Sequence, residues 1–108
     1  MDITSPQNTR VKHIVKLRED KRQRQRDQLM LVEGYDELML AVASGLQPQT
    51  IFTAPELASR QMDGLSAETL TVNRAVFEKM SYRENPDGWL GVFPIPGKSL
   101  DDLKPGPT

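Results

Sequence analysis

The run Leu29-Met30-Leu31-Val32-Glu33-Gly34-Tyr35-Asp36-Glu37-Leu38-Met39-Leu40-Ala41-Val42 decides the fold class. Its first four residues are continuously apolar and of strand length, and Glu33-Gly34 stops them. Tyr35, Leu38, Met39 and Val42 then recur at i, i+3, i+4 and i+7, the spacing that lines one face of a helix. Gly45 stands where a helix C-terminus favours a left-handed residue. A strand feeding directly into an amphipathic helix is the unit from which layered α/β domains are built.

The same alternation continues in both directions. Thr50-Ile51-Phe52-Thr53 has the length of a short strand, and Pro55 is expected to open a short helix through about Met62 that Gly64 ends. Thr69-Leu70-Thr71-Val72 is a strand rich in β-branched residues. Asn73 caps a helix carrying Val76, Phe77 and Met80, and Trp89-Leu90-Gly91-Val92-Phe93 forms the last strand. Toward the N-terminus, Ser5-Pro6 suits an N-cap followed by proline at the first helical position. Val11, Ile14 and Val15 follow at helical spacing, with Lys12, His13 and Lys16 on the other side. The pattern dissolves near Arg18, and residues 21–28 contain no apolar side chain, as in a loop or an exposed helical extension. The expected fold is therefore α/β: a three-layer α/β/α sandwich around a small, largely parallel four-stranded sheet with right-handed crossovers.

With 108 residues, the chain suits one domain and a single core. Apolar residues make up 37% and charged residues 27%, a soluble globular balance. No apolar run approaches the roughly 20 residues of a membrane span, so no membrane partner is expected. The N-terminus lacks the basic-then-apolar order of a signal peptide. Cysteine is absent, which excludes disulfides and thiolate metal sites and makes a cytoplasmic location the simple reading. The net charge is -1, yet residues 10–26 hold eight basic and two acidic side chains, a local +6 that leaves -7 for the rest. Such asymmetry suits contact with a polyanion, or else a solvated helix. Pro94, Pro96, Gly97, Pro105, Gly106 and Pro107 give the C-terminal stretch the composition of a linker.

Chemistry-bearing patterns are few. His13 has no cysteine and no elbow serine to activate, so RNA contact or simple exposure suits it better than general-base work. No glycine-rich phosphate loop occurs, and the acidic pairs lack a second cluster at metal-ligand spacing. Catalytic, cofactor-binding and metal-binding residues are accordingly none. Glu33, at the end of an apolar strand, suits capping the next helix or orienting a basic neighbour. The polar segment Ser81-Tyr82-Arg83-Glu84-Asn85-Pro86-Asp87-Gly88 combines turn residues with one aromatic face and several donors, types that suit unpaired bases and ribose hydroxyls.

Several of these stretches, in order, resemble the N-terminal domain of the SpoU (TrmH) family of RNA methyltransferases. They are Ile3-Thr4-Ser5-Pro6-Gln7-Asn8 before a basic helix, Leu29-Met30-Leu31-Val32-Glu33-Gly34 before an amphipathic one, Val76-Phe77-Glu78-Lys79-Met80-Ser81, and Asn85-Pro86-Asp87-Gly88-Trp89-Leu90-Gly91-Val92. The likeness covers about residues 3–96. It implies the sandwich fold of kink-turn-binding ribosomal proteins, with residues 1–96 as an RNA substrate-binding domain and 97–108 as a linker to a knotted catalytic domain. That further domain would bind S-adenosylmethionine, form a homodimer and methylate ribose 2′-hydroxyls, leaving this chain without cofactor and inactive alone. The RNA-binding residues would be Arg10, Lys12, His13, Lys16, Arg22, Arg24 and Arg26 on phosphates, with groups near Glu33 and Arg83 reading shape. The overall likeness leans to structured rRNA. Two alternatives stand beside it: a free-standing RNA-binding or ribosome-associated module, and a protein-interaction domain whose basic stretch only solvates a helix.

Overall fold

The fold was analysed in a computed structural model, which describes residues 2–62 and 67–95. Expectations that fall on Gly64 and on residues 96–108 lie outside the described residues. The elements are β1 (Asp2–Ile3), α1 (Thr9–Glu19), α2 (Lys21–Asp27), β2 (Leu29–Glu33), α3 (Tyr35–Ala43), β3 (Thr50–Thr53), β4 (Glu68–Val72), α4 (Arg74–Met80) and β5 (Trp89–Pro94).

The five strands pair in the order β1-β4-β3-β5-β2. The four expected strands form one sheet, and the expectation that it is largely parallel is corrected. The short β1 adds an edge strand, and the sheet is mixed: β1 and β3 run parallel to β4, whereas β5 runs antiparallel to both β3 and β2. The cause lies in the connection through α4. Seven residues make a helix about 10 Å long, too short to return the chain along the sheet. Asn73 follows the end of β4, and Ser81, just past α4, meets Glu33 at the end of β2. Both ends of α4 thus lie at the same end of the sheet. The next strand starts there and must run backward, pairing Trp89 with Thr53 and Leu90 with Glu33.

Helices cover both faces, so the three-layer arrangement is present. On one face Val11, Ile14 and Leu17 of α1 and Val76, Phe77 and Met80 of α4 pack on Phe52, Leu70, Leu90 and Val92. On the other, Leu38 of α3 packs against Ile51, Trp89 and Phe93. The alternation of Trp89 and Phe93 with Leu90 and Val92 follows the two-residue strand period, and β5 is buried on both faces. Gly91 lets Leu38 dock: a Cβ there would strike the Leu38 side chain and the Phe93 ring. Full burial of Leu38 contributes roughly 1.5–3 kcal/mol.

Two local expectations are corrected, and an alternative left open over residues 21–28 is decided in favour of an exposed helix. Asn8, not Ser5, caps α1, its Oδ1 accepting from the Arg10 amide at 2.8 Å, while Ser5 closes a turn onto Gln7 and Asn8. Residues 55–62 form a single turn rather than a helix. The carbonyls of Arg60 and Gln61 accept from Trp89 Nε1 and the Tyr35 hydroxyl, and the Arg60 guanidinium sits 3.8 Å over the Tyr35 ring. Residues 21–27 are helical without burying a side chain. Asp20 both ends α1 and caps α2, its carboxylate accepting from the Arg22 and Gln23 amides. Gln28 closes α2 in the left-handed region.

The two helices are tied by His13 Nε2 and Asp27 Oδ2, 2.7 Å apart. The His13 hydrogen bond, followed by one from Gln23, holds the Asp27 carboxyl below its ordinary value. A lowered folded-state value means stability that is complete above the unfolded value of about 4 and lost as pH falls through the lowered one. In urea unfolding, the Asp27→Asn protein should therefore lose less stability than the parent below about pH 4. Identical acid slopes would show that the pair is not formed in solution.

Candidate nucleic-acid interface

The end of the sheet where β2, β3 and β4 finish brings Glu33 together with the polar 81–88 segment singled out in the sequence. Glu33 is only 8% exposed there. Its two oxygens accept from the Ser81 hydroxyl and, at 2.7 Å, from the Tyr82 amide. Arg83 reaches back, donating from Nη2 to the Glu33 carbonyl at 3.0 Å and to Glu37 at 2.7 Å. Gly34, at φ +109°, leaves room for this: a Cβ would lie 2.8 Å from the Arg83 guanidinium. Glu33 and Arg83 therefore do meet, through a folded turn. The cap of α3 comes instead from Asp87, whose Oδ2 accepts from the Tyr35 amide at 2.8 Å and whose Oδ1 accepts from Trp89.

Arg18 joins this turn to α1. It donates to the carbonyls of Lys79 at 2.8 Å and Ser81 at 3.1 Å, closing the C-terminus of α4. The Tyr82 hydroxyl approaches the Arg18 carbonyl at 3.5 Å. Arg24 donates to that same carbonyl and to Leu17, closing the C-terminus of α1. Three loose ends, those of α1, α4 and β2, are thus knitted into one surface by side chains bonding to backbone.

The basic residues divide into two groups. Arg10 is paired with Glu68 on β4, which holds the Glu68 carboxyl below its ordinary value. His13 is held by Asp27, Arg24 by the α1 carbonyls, and Arg83 by Glu33 and Glu37. Lys12 and Lys16, in contrast, are exposed, make no ion pair among the described residues, and line a groove of about 260 Å³ between α1 and α4. Lys79 lines the same groove, as does one acid, Glu19, whose carboxylate pairs with Arg18. On the adjoining α2, Lys21 and Arg22 are exposed, and Arg26 is exposed while donating to Gln23.

Lys79 was not among the sequence candidates. Its signal was present, since a lysine beside Phe77 and Met80 must point away from their buried face. Arg18 was masked by its ordinary place in a charged run. Among the described residues no cluster of three or more His, Asp or Glu could hold a metal ion, and no helix is long and apolar enough to cross a membrane.

The described residues form a small mixed α/β domain with an exposed basic groove. The chain belongs to the MRM3-like substrate binding domain family, whose model matches residues 8–91. It is similar in structure to an RNA 2′-O ribose methyltransferase (27% identity, TM-score 0.77, 99% of this chain and 42% of that one). A second likeness is to the AdoMet-bound rRNA methyltransferase from Sinorhizobium meliloti (25%, TM-score 0.69, 87% and 36%). The SpoU methyltransferase AviRb from Streptomyces viridochromogenes, in complex with AdoMet, shares the fold at 18% identity (TM-score 0.72, 92% and 40%). The resemblance to SpoU substrate-binding domains is thereby borne out, while the expected likeness to kink-turn-binding ribosomal proteins gains no support. A comparison with curated proteins finds no match. The chain spans about two-fifths of the length of the first methyltransferase.

A cavity of about 370 Å³ is an open shelf lined by Thr53, Pro55, Ser59, Arg60, Met62 and Trp89, and this lining does not fit S-adenosylmethionine, having no carboxylate to face a sulfonium, an ammonium or ribose hydroxyls. No step of methyl transfer is assigned to this domain.

Proposed function

We propose that this chain is the RNA-gripping part of an S-adenosylmethionine-dependent RNA 2′-O-ribose methyltransferase that acts on structured rRNA. Residues 1–96 hold the RNA, and 97–108 lead to a knotted catalytic domain through which the cytoplasmic parent enzyme dimerises. The observation that carries this reading is the groove between α1 and α4, where Lys12, Lys16 and Lys79 stand exposed. Lysines held there can neutralise successive phosphates and release their counterions. Lys21, Arg22 and Arg26 extend the positive field along α2, Arg10 and Arg24 add charge from tethered positions, and His13 offers a hydrogen-bonding group beside them. These contacts fix register and orientation, and sequence information enters near the turn that Glu33 and Arg83 build. The length of the similar methyltransferases supports this reading over a free-standing module.

Filter binding of the 108-residue chain to a structured rRNA transcript tests the proposal. The expected dissociation constant is on the order of micromolar or tighter at moderate salt. Absence of binding even at low salt would favour a protein-interaction domain.

A further inference from the structure

Tyr82 is 54% exposed, the largest aromatic surface the described residues leave open. It does not sit on a loose loop. Its amide is bound by the buried Glu33 carboxylate, the preceding Ser81 hydroxyl by the other Glu33 oxygen, and the Arg83 amide by that same Ser81 hydroxyl at 2.8 Å. On the far side its own hydroxyl rests near the Arg18 carbonyl, to which the Arg24 guanidinium also donates. Burying a carboxylate is costly unless its hydrogen bonds are met, and here they are met wholly by the turn that carries Tyr82. An exposed aromatic ring held by a buried charge is more than a solvated turn requires.

The surroundings specify the ligand. Arg18 binds the Lys79 and Ser81 carbonyls, so the turn that carries the ring is fixed directly after Lys79, which lines the groove with Lys12 and Lys16. A chain whose phosphates lie in that groove brings its next base to the ring. Every base has a π face, and stacking on an aromatic side chain requires that base to be unpaired.

Resting on the RNA-binding reading above, we infer that Tyr82 is a stacking platform for one unpaired nucleotide next to the phosphate groove, with Glu33 as the residue that positions it. The substrate this selects is a loop or bulge, not a continuous duplex.

The test compares two RNAs of equal length, a hairpin with an unpaired loop and a fully paired duplex. Binding is measured for the full chain and for Tyr82→Ala, Tyr82→Leu and Tyr82→Phe. The full chain should prefer the hairpin. Tyr82→Ala and Tyr82→Leu should each lose roughly ten-fold or more on the hairpin and nothing on the duplex, and Tyr82→Phe should retain the preference. Thermal melts of the four proteins should coincide, since the ring is half exposed. Equal binding of Tyr82→Ala and the full chain to the hairpin overturns the platform while leaving the RNA-binding reading intact. A parallel loss on both RNAs also overturns it, because stacking is blind to paired bases. Failure of the full chain to bind either RNA overturns the functional reading and the platform with it.

Discussion

Changing Lys12, Lys16 and Lys79 together to glutamate should lower affinity for structured rRNA by on the order of 10²–10³-fold at low salt. The estimate follows from counterion release. Each phosphate neutralised contributes about 0.9 to the slope of log affinity against log salt, near ten-fold in affinity at about 0.1 M. Three lysines lining one groove give the upper figure, and imperfect contact gives the lower. All three are exposed and make no ion pair among the described residues, so the melting temperature should scarcely change. Arg10→Glu is the informative contrast. Its guanidinium is already held by Glu68, so its loss of affinity should be smaller than that of any lysine in the groove. Equal effects at all four positions would mean that a diffuse field, and not the groove, attracts the RNA.

The second large effect concerns stability. Glu33→Ala should destabilise the domain by about 2–4 kcal/mol, because it strands the Ser81 hydroxyl and the Tyr82 amide and opens a void at the end of β2. For a domain of this size that lowers the melting temperature by about 10 °C or more. Urea denaturation followed by Trp89 fluorescence would measure it. A change below about 0.5 kcal/mol, the range of ordinary surface substitutions, would show that Glu33 does not hold the turn.

Much of the architecture could be read from local pattern. The α3 helix was legible because Tyr35, Leu38 and Val42 pack on one face, although Met39 of the same spacing stands exposed. The strands were legible because β-branched and aromatic runs lie between turn residues. Strand direction was not, since it depends on how far α4 carries the chain, and that emerges only when Ser81 is seen to meet Glu33. The helix expected over 55–62 is absent, and the Arg60 and Gln61 carbonyls are anchored instead by Trp89 and Tyr35, partners distant in sequence that local pattern could not show. The α2 helix was invisible to hydrophobic periodicity because it buries nothing, although Asp20 carried a capping signal.

For the candidate surface, composition located the positive segment but could not sort its members. Arg24, Arg22 and Arg26 look equivalent in sequence. In the fold Arg24 closes α1, whereas Arg22 and Arg26 face solvent. Lys79 lies more than fifty positions beyond the basic segment and joins it only because α4 packs beside α1. Glu33 was expected to cap the next helix or orient a basic neighbour. It organises the 81–83 turn instead, and only the Arg83 contact with its backbone carbonyl matches the second expectation.

The most direct test of the central claim is the salt dependence of rRNA binding by the unaltered chain. Phosphate neutralisation in the α1–α4 groove predicts a log–log slope of about -3 or steeper, reduced by about 3 in the triple lysine variant. A slope near zero, or one that the triple variant leaves unchanged, would contradict it.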